Sequence, residues 1–135
     1  MRNFEILDTV RIDEAEGVIR LSNEQGGANP IVALRREGGY VAIAASYGPI
    51  EIALRPRFQE LARVLSRLQP VTGLQTSRQV GTGQSYIALG LDTEGQLIMR
   101  PTIVTDATGH LAFNIILSNN ARQALFEWLP VEAAS

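Results

Sequence analysis

The stretch "EGGYVAIAASYGPIEIAL" at residues 37–54 decides the fold. Its paired glycines supply the positive φ angles of a tight hairpin turn, and "YGP" reverses the chain a second time. Between the two turns, residues 41–45 are apolar at every position, a pattern typical of a strand that is covered on both faces. Residues 50–54 alternate between apolar and polar side chains. The stretch therefore predicts antiparallel strands around a central strand at 40–46.

The segment that follows, "RPRFQELARVLSRLQP" at residues 55–70, predicts a helix. Pro56 suits the first turn, where its missing N–H is harmless, and Pro70 ends the helix. Arginines occupy the side opposite the apolar face, so we interpret them as a solvated surface. The apolar face consists of Phe58, Leu61, Ala62, Leu65 and Leu68.

Three further strands are predicted before this helix. "FEILDTVRI" at 4–12 and "GVIRLS" at 17–22 flank an acidic turn, and "IVALRR" at 31–36 follows a glycine-rich loop.

The second half of the sequence has a similar order of elements. "SYIALGLDTEGQLIMR" at 85–100 predicts a strand, a turn and a strand, and "HLAFNIIL" at 110–117 predicts another strand. "SNNARQALFEWLP" then predicts a second helix, with Ser118 or Asn119 as its N-cap. We therefore expect an α+β fold in which antiparallel strands followed by one helix occur twice as a pseudo-symmetric unit. The repeats span about 4–70 and about 71–130 of a single domain, residues 1–135.

Composition excludes several classes of protein. The 135 residues are 45% hydrophobic and include no cysteine, which rules out disulfides, thiolate metal sites and cysteine nucleophiles. The first residues lack a signal-peptide pattern, and no apolar run has the length of a membrane helix. We expect a cytoplasmic protein that does not associate with membranes.

The charges are unevenly distributed. All twelve basic residues are arginine, and the net charge is −2, which argues against strong non-specific binding of nucleic acid. Residues 52–91 nevertheless carry five arginines and Glu60 as their one acid, so a local basic patch is compatible with the acidic total.

Two successive units of antiparallel strands plus a helix resemble the Whirly and positive-cofactor-four architecture, as in small cyanobacterial proteins. The resemblance covers roughly residues 4 to 129 and rests on element order. This chain has no lysine and so lacks the lysine-rich segment typical of Whirly proteins. The resemblance implies that single-stranded nucleic acid is bound along the sheets and that the helices serve in assembly, so a homo-oligomer is expected.

Five residues of the predicted strands and linker are candidates for nucleic-acid contact under this resemblance. Arginine next to tyrosine combines a phosphate contact with base stacking, which is worth about 1–3 kcal/mol per base. The alternative interpretation is an ordinary polar hairpin surface. The candidates are Arg35, Arg36, Tyr40, Arg78 and Arg100.

Signals for catalysis, metals or cofactors are weak. The single histidine, His110, forms a formal triad with Ser46 and Asp106, but no nucleophile elbow accompanies it. Acids at 13, 14 and 16 lack calcium-loop spacing. The glycines of "SRQVGTGQSY" at 77–86 lack the P-loop pattern and its lysine, so a linker is predicted there.

Two function hypotheses follow, neither of them enzymatic and neither with a metal or a cofactor. The first is a binding protein for single-stranded nucleic acid, with a role related to transcription. The second is a protein–protein adaptor or structural subunit that has the fold without the nucleic-acid surface.

Overall fold

Eleven strands and two helices form the part of the chain that the structure describes. The computed structural model describes residues 5–23, 31–68, 78–82, 84–106 and 108–129. The first sheet elements and helix are β1 (Glu5–Leu7), β2 (Thr9–Asp13), β3 (Val18–Ser22), β4 (Ile31–Glu37), β5 (Tyr40–Tyr47), β6 (Ile50–Leu54) and α1 (Phe58–Ser66). The later elements are β7 (Arg78–Gly81), β8 (Ser85–Leu91), β9 (Leu97–Asp106), β10 (Gly109–Ala112), β11 (Ile115–Leu117) and α2 (Asn119–Trp128).

The stretch at 37–54 forms the predicted hairpins within a five-stranded antiparallel sheet of order β2-β3-β4-β5-β6. Glu37 pairs with Tyr40, so the two glycines alone make the first turn, with Gly38 at φ 64°. The second turn has the same length and has Gly48 at φ 60°. Because a residue with a Cβ rarely adopts these angles, the glycines fix the position of both turns and the register of three strands.

The other sheet has six strands in the order β1-β11-β9-β8-β7, with β10 also paired to β9. Its β1 comes from the N-terminal end of the chain and pairs in parallel with β11. The segment 110–117 is not the single strand that its pattern predicted, because Phe113 and Asn114 interrupt it between β10 and β11. This sheet therefore combines strands from both ends of the sequence.

The predicted repeat of a strand–helix unit is wrong. The described residues are 57% strand and 18% helix, in two sheets with only two helices. The apolar residues of the two predicted helices are similarly spaced, and this similarity has a simpler cause. Any helix that packs on a sheet repeats its apolar side chains every three or four residues. The pattern of apolar residues alone thus produced the likeness between the two halves of the sequence. The described part of the chain is mostly β structure.

Both helices form where the sequence placed them. In α1, Leu61 and Leu65 are 2% and 3% exposed, while Arg57, Arg63 and Arg67 next to and within the helix are exposed, which confirms the solvated arginine face.

In α2, the hydroxyl of Ser118 accepts a hydrogen bond from the backbone N–H of Ala121 at 3.2 Å. The Ser118 cap was predicted, and this bond satisfies one of the free N–H groups at the start of the helix. Pro70, predicted to end the first helix, lies outside the described residues.

One hydrophobic core joins both sheets and both helices. In β5, Val41, Ile43 and Ala45 belong to this core and are at most 1% exposed. The intervening Ala42 and Ala44 are only half-buried, because they lie on the opposite side of the sheet. The described residues therefore fully bury one side of β5, whereas the apolar run at 41–45 predicted cover on both.

Candidate interaction face

The side of the five-stranded sheet that points away from the core is called the outer face here. Every second residue of each strand belongs to it. These residues are Thr9, Arg11 and Asp13 on β2; Val18, Arg20 and Ser22 on β3; Ile31, Ala33, Arg35 and Glu37 on β4; Tyr40, Ala42, Ala44 and Ser46 on β5; and Glu51 and Ala53 on β6. These residues are exposed or half-buried, while most of the apolar residues that alternate with them in the strands fill the core. The face is thus open to solvent across all five strands.

A single row of directly paired residues crosses the centre of the outer face. Arg11 pairs with Arg20, Arg20 with Ala33, Ala33 with Ala44, and Ala44 with Ala53. Adjacent strands lie about 4.8 Å apart, so the row is about 19 Å long. On β2 and β3 the row consists of arginines, and this part of the face is called the arginine half. On β4, β5 and β6 the row consists of alanines, and this part is called the alanine half.

The alanine half departs from the usual pattern of an open sheet. An antiparallel sheet with one solvated side normally shows polar residues on that side. Here β4 presents Ile31, at 42% exposure, followed by Ala33, and β5 presents Ala42 and Ala44. Alanine has a low preference for strands, so strand propensity does not explain its choice at these positions.

Ion pairs within the face neutralise several of its charges. Arg35 Nη2 donates to Glu16 Oε2 at 2.9 Å, and Arg55 Nε lies 3.0 Å from Glu37 Oε1. The Arg55 guanidinium also lies over the ring of Tyr40, with 4.8 Å between the guanidinium carbon and the ring centroid. These arginines are therefore engaged within the chain.

Four charged side chains of the face have no ion pair among the described residues: Arg11, Asp13, Arg20 and Glu51. The two arginines face each other directly across β2 and β3, which is unfavourable for like charges. They line a shallow groove of about 440 Å³ together with Arg35. Glu51 lies on β6, at the opposite edge of the same face. Arg11 and Arg20 thus lie at the β2–β3 side of the face together with Asp13, and Glu51 lies at the opposite edge.

The structure brings together only two of the five residues that the sequence singled out for nucleic-acid contact. Arg35 and Tyr40 share the outer face. Arg36 lies on the inner side of β4, and its guanidinium carbon is 4.6 Å from the ring centroid of Trp128 in α2. Consecutive residues of a strand point to opposite sides, so the adjacent arginines could not share one surface.

The other two candidates belong to the six-stranded sheet. Arg100 lies half-buried on β9, opposite Ala88 of β8. Arg78 begins β7 at the far edge of this sheet, and its side chain lies outside the described part of the structure. Gly83, one of the glycines of the predicted linker, also lies outside it, while Gly81 belongs to β7.

The residues of the formal catalytic triad are divided between the sheets. Ser46 lies on the outer face of β5, whereas His110 is exposed on β10. The backbone of Asp106 pairs with Gly109 next to His110, and its side chain is outside the described set.

Two of the three acids near the first turn, Asp13 and Glu16, have structural partners. Asp13 Oδ1 accepts a hydrogen bond from the backbone N–H of Glu16 at 3.1 Å, and Glu16 pairs with Arg35. Within the described ranges, no three His, Cys, Asp or Glu side chains are grouped in a way that could hold a metal ion. Of the helices in those same ranges, none is long and apolar enough to cross a membrane.

Sequence reasoning missed Arg11 and Arg20, although a signal for them was present. Both occupy the polar position of an alternating strand, in "TVRID" and "VIRLS". They are equally far from the centre of the four-residue "EAEG" turn at 14–17, and a hairpin pairs residues that are equidistant from its turn.

Comparisons of the chain with protein-family models, with curated proteins and with solved structures found no match.

Proposed function

We propose that this chain is a non-enzymatic protein–protein interaction module, an adaptor or structural subunit, whose partner packs on the outer face of the five-stranded sheet. The observation that carries the proposal is the alanine half of that face. Ala33, Ala42 and Ala44 form an apolar, shallow surface at the centre of an open sheet. A second protein surface of matching shape approaches the alanines closely, with Arg20 and Arg35, their neighbours on the adjacent strands, beside it.

The sequence of β5 supports the same proposal. Its run at 41–45 has the composition of a strand that is covered on both sides, and the described part of the chain fully buries only one. A partner on the outer face would supply the second cover. The exposed side chain of Ile31, next to the alanines, would be buried by the same contact.

Affinity capture with matched variants tests this proposal. The wild-type bait is compared with Ala44→Arg, which places a long charged side chain at the centre of the face, and with Gln123→Arg on the exposed side of α2. We expect at least one protein that binds the wild-type and Gln123→Arg baits and is lost with Ala44→Arg. Binding is then repeated with that protein in purified form. Identical capture by all three baits would contradict the proposal.

A second candidate function is binding of single-stranded nucleic acid, and the pairing of Arg11 with Arg20 favours it. Two like charges held opposite each other become favourable when an anion lies between them. Ion pairs neutralise other charges of the face, and the net charge of the chain is −2. Both argue against binding of a long phosphate backbone across the face.

Fluorescence anisotropy distinguishes this second candidate from the first. A labelled thirty-nucleotide single strand is titrated at low and at moderate salt. Binding that weakens steeply with salt, and that Arg11→Ala with Arg20→Ala removes, would favour nucleic acid, because released counterions produce the salt slope. Absence of binding at low salt would leave the interaction module.

A further inference from the structure

We propose that the protein that covers the outer face is a second copy of this chain, bound face to face across a two-fold axis parallel to β4. This inference rests on the proposed function, since it names the partner of the same face. Two independent properties of the face carry it: the distribution of side-chain size and the distribution of unpaired charge.

Side-chain size is complementary between the two halves of the face. Because β4 is the middle strand, the two-fold axis lays β2 of one copy over β6 of the other and β3 over β5. Arg11 then faces Ala53 of the second copy, and Arg20 faces Ala44 of the second copy. Packed sheets lie about 10 Å apart, a distance that a long side chain opposite a short one fills.

The unpaired charges become complementary in the same arrangement. Glu51 lies two residues from Ala53 on β6, about 7 Å along the strand. An extended Arg11 side chain that lies over Ala53 of the second copy therefore reaches the carboxylate of Glu51 there. The symmetry forms this contact twice, so Arg11 and Glu51, which lack an ion pair within one chain, obtain partners in the dimer.

The charges also favour the two-fold axis parallel to β4 over a second possible axis in the plane between the two faces. A two-fold axis perpendicular to the strands would lay β2 over β2 and β3 over β3. Arg11 and Arg20 of one copy would then meet the same arginines of the other, and like charges in contact oppose association. Of the two axes, the one along β4 places Arg11 and Arg20 opposite alanines; Arg35 and Glu37 of β4 then face the same residues of the second copy, and each already has an ion-pair partner within its own chain.

The area of the face indicates a dimer of moderate strength. Five strands spaced about 4.8 Å apart and about six residues long make a face of about 24 by 20 Å. Two copies would bury on the order of 1,000 Å² in total, which is at the lower limit for a specific interface. We expect a dissociation constant in the micromolar range, so the monomer–dimer equilibrium is measurable.

Sedimentation of purified wild-type protein and two charge variants tests the inference. One variant carries Arg11→Glu with Arg20→Glu, and the other carries Glu51→Arg; all three positions are exposed, so folding is preserved. Each variant places like charges opposite each other in its own dimer. We expect the dissociation constant of each variant dimer to rise at least about tenfold.

Mixing the two variants provides the decisive measurement. In the mixed dimer both symmetry-related contacts join an arginine to a glutamate, so we expect association to return to within about threefold of wild type. Circular dichroism and urea midpoints of the separate variants confirm that each is folded. A charge-preserving control, Arg11→Lys with Arg20→Lys, is expected to dimerise like wild type.

Two results would overturn the inference. One is a wild-type protein that stays monomeric at high concentration. The other is a dimer whose strength is unchanged in both charge variants, because it would use a different surface. The proposed function is judged separately: if capture remains sensitive to Ala44→Arg while the protein is monomeric, the face binds a different protein. If capture is also insensitive, both proposals fail.

Discussion

The two faces of the five-stranded sheet are built from the same strands and differ in almost every side chain. The inner face carries isoleucine, leucine and valine at no more than 3% exposure in its buried positions. The outer face carries alanines at its centre and arginines on β2, β3 and β4. The inner face shows what holds the fold together. Neither strand propensity nor solubility alone explains the composition of the outer face, and the proposed partner rests on this difference.

The largest expected effect of a substitution lies on the inner face. Ile43→Ala removes a side chain that is 1% exposed and leaves a cavity between the sheet and its cover. We expect a loss of about 2–5 kcal/mol in the free energy of unfolding, measured by urea denaturation. Ala42→Ser on the outer face of the same strand is the control, with an expected change within about 0.5 kcal/mol. Similar losses in both variants would remove the distinction between the faces.

A smaller effect is expected where the inner face meets α2. Arg36→Ala removes the guanidinium that lies over Trp128, together with the packing of its aliphatic stem. We expect a loss of about 1 kcal/mol in urea denaturation. Arg36→Lys retains a cation over the ring and should recover part of that loss. An unchanged unfolding midpoint for Arg36→Ala would show that the contact does not fasten the helix to the sheet.

Much of this sheet could be predicted because its turns fix its registers. Each two-residue turn pairs residues that are equidistant from its centre, so the turn after Glu37 pairs Ala33 with Ala44, and the next pairs Ala44 with Ala53. The central row was therefore present in the sequence. Side chains alternate between the two sides of a strand, so Arg35 and Arg36 had to lie on opposite sides. The prediction that treated them as one site ignored this alternation.

The six-stranded sheet was harder to predict for a physical reason. Its parallel pairing of β1 with β11 joins segments more than a hundred residues apart, and no local turn specifies such a contact. The interruption at Phe113 and Asn114 also carries no glycine or proline signal. The repeat was predicted from apolar spacing, which reports what each element buries and not which elements pair.

The alanine half offers a test in which stability and association change in opposite directions. Ala44→Thr places a β-branched residue at the centre of the outer face, so we expect the free energy of unfolding to rise by about 0.5 kcal/mol in dilute solution. The added bulk should weaken association through the face. Urea denaturation at low concentration and sedimentation at high concentration measure the two effects. If Ala44→Thr strengthens both, the alanine is not retained for a partner.

The smallest effect is expected at Arg35, next to Arg36 in sequence and on the other side of the sheet. The side chains of Arg35 and Glu16 are 51% and 62% exposed, so solvent screens their ion pair. We expect Arg35→Ala to cost about 0.3 kcal/mol at low ionic strength. A double-mutant cycle with Glu16→Ala isolates the pair energy, which should vanish at about 1 M salt because the screening length falls to about 3 Å. The stack of Arg36 on Trp128 depends on contact as well as charge, so the cost of Arg36→Ala should persist in the same salt. A pair energy at Arg35 above about 1 kcal/mol would mean that the outer face is already ordered within the single chain, and the case for an external cover would weaken.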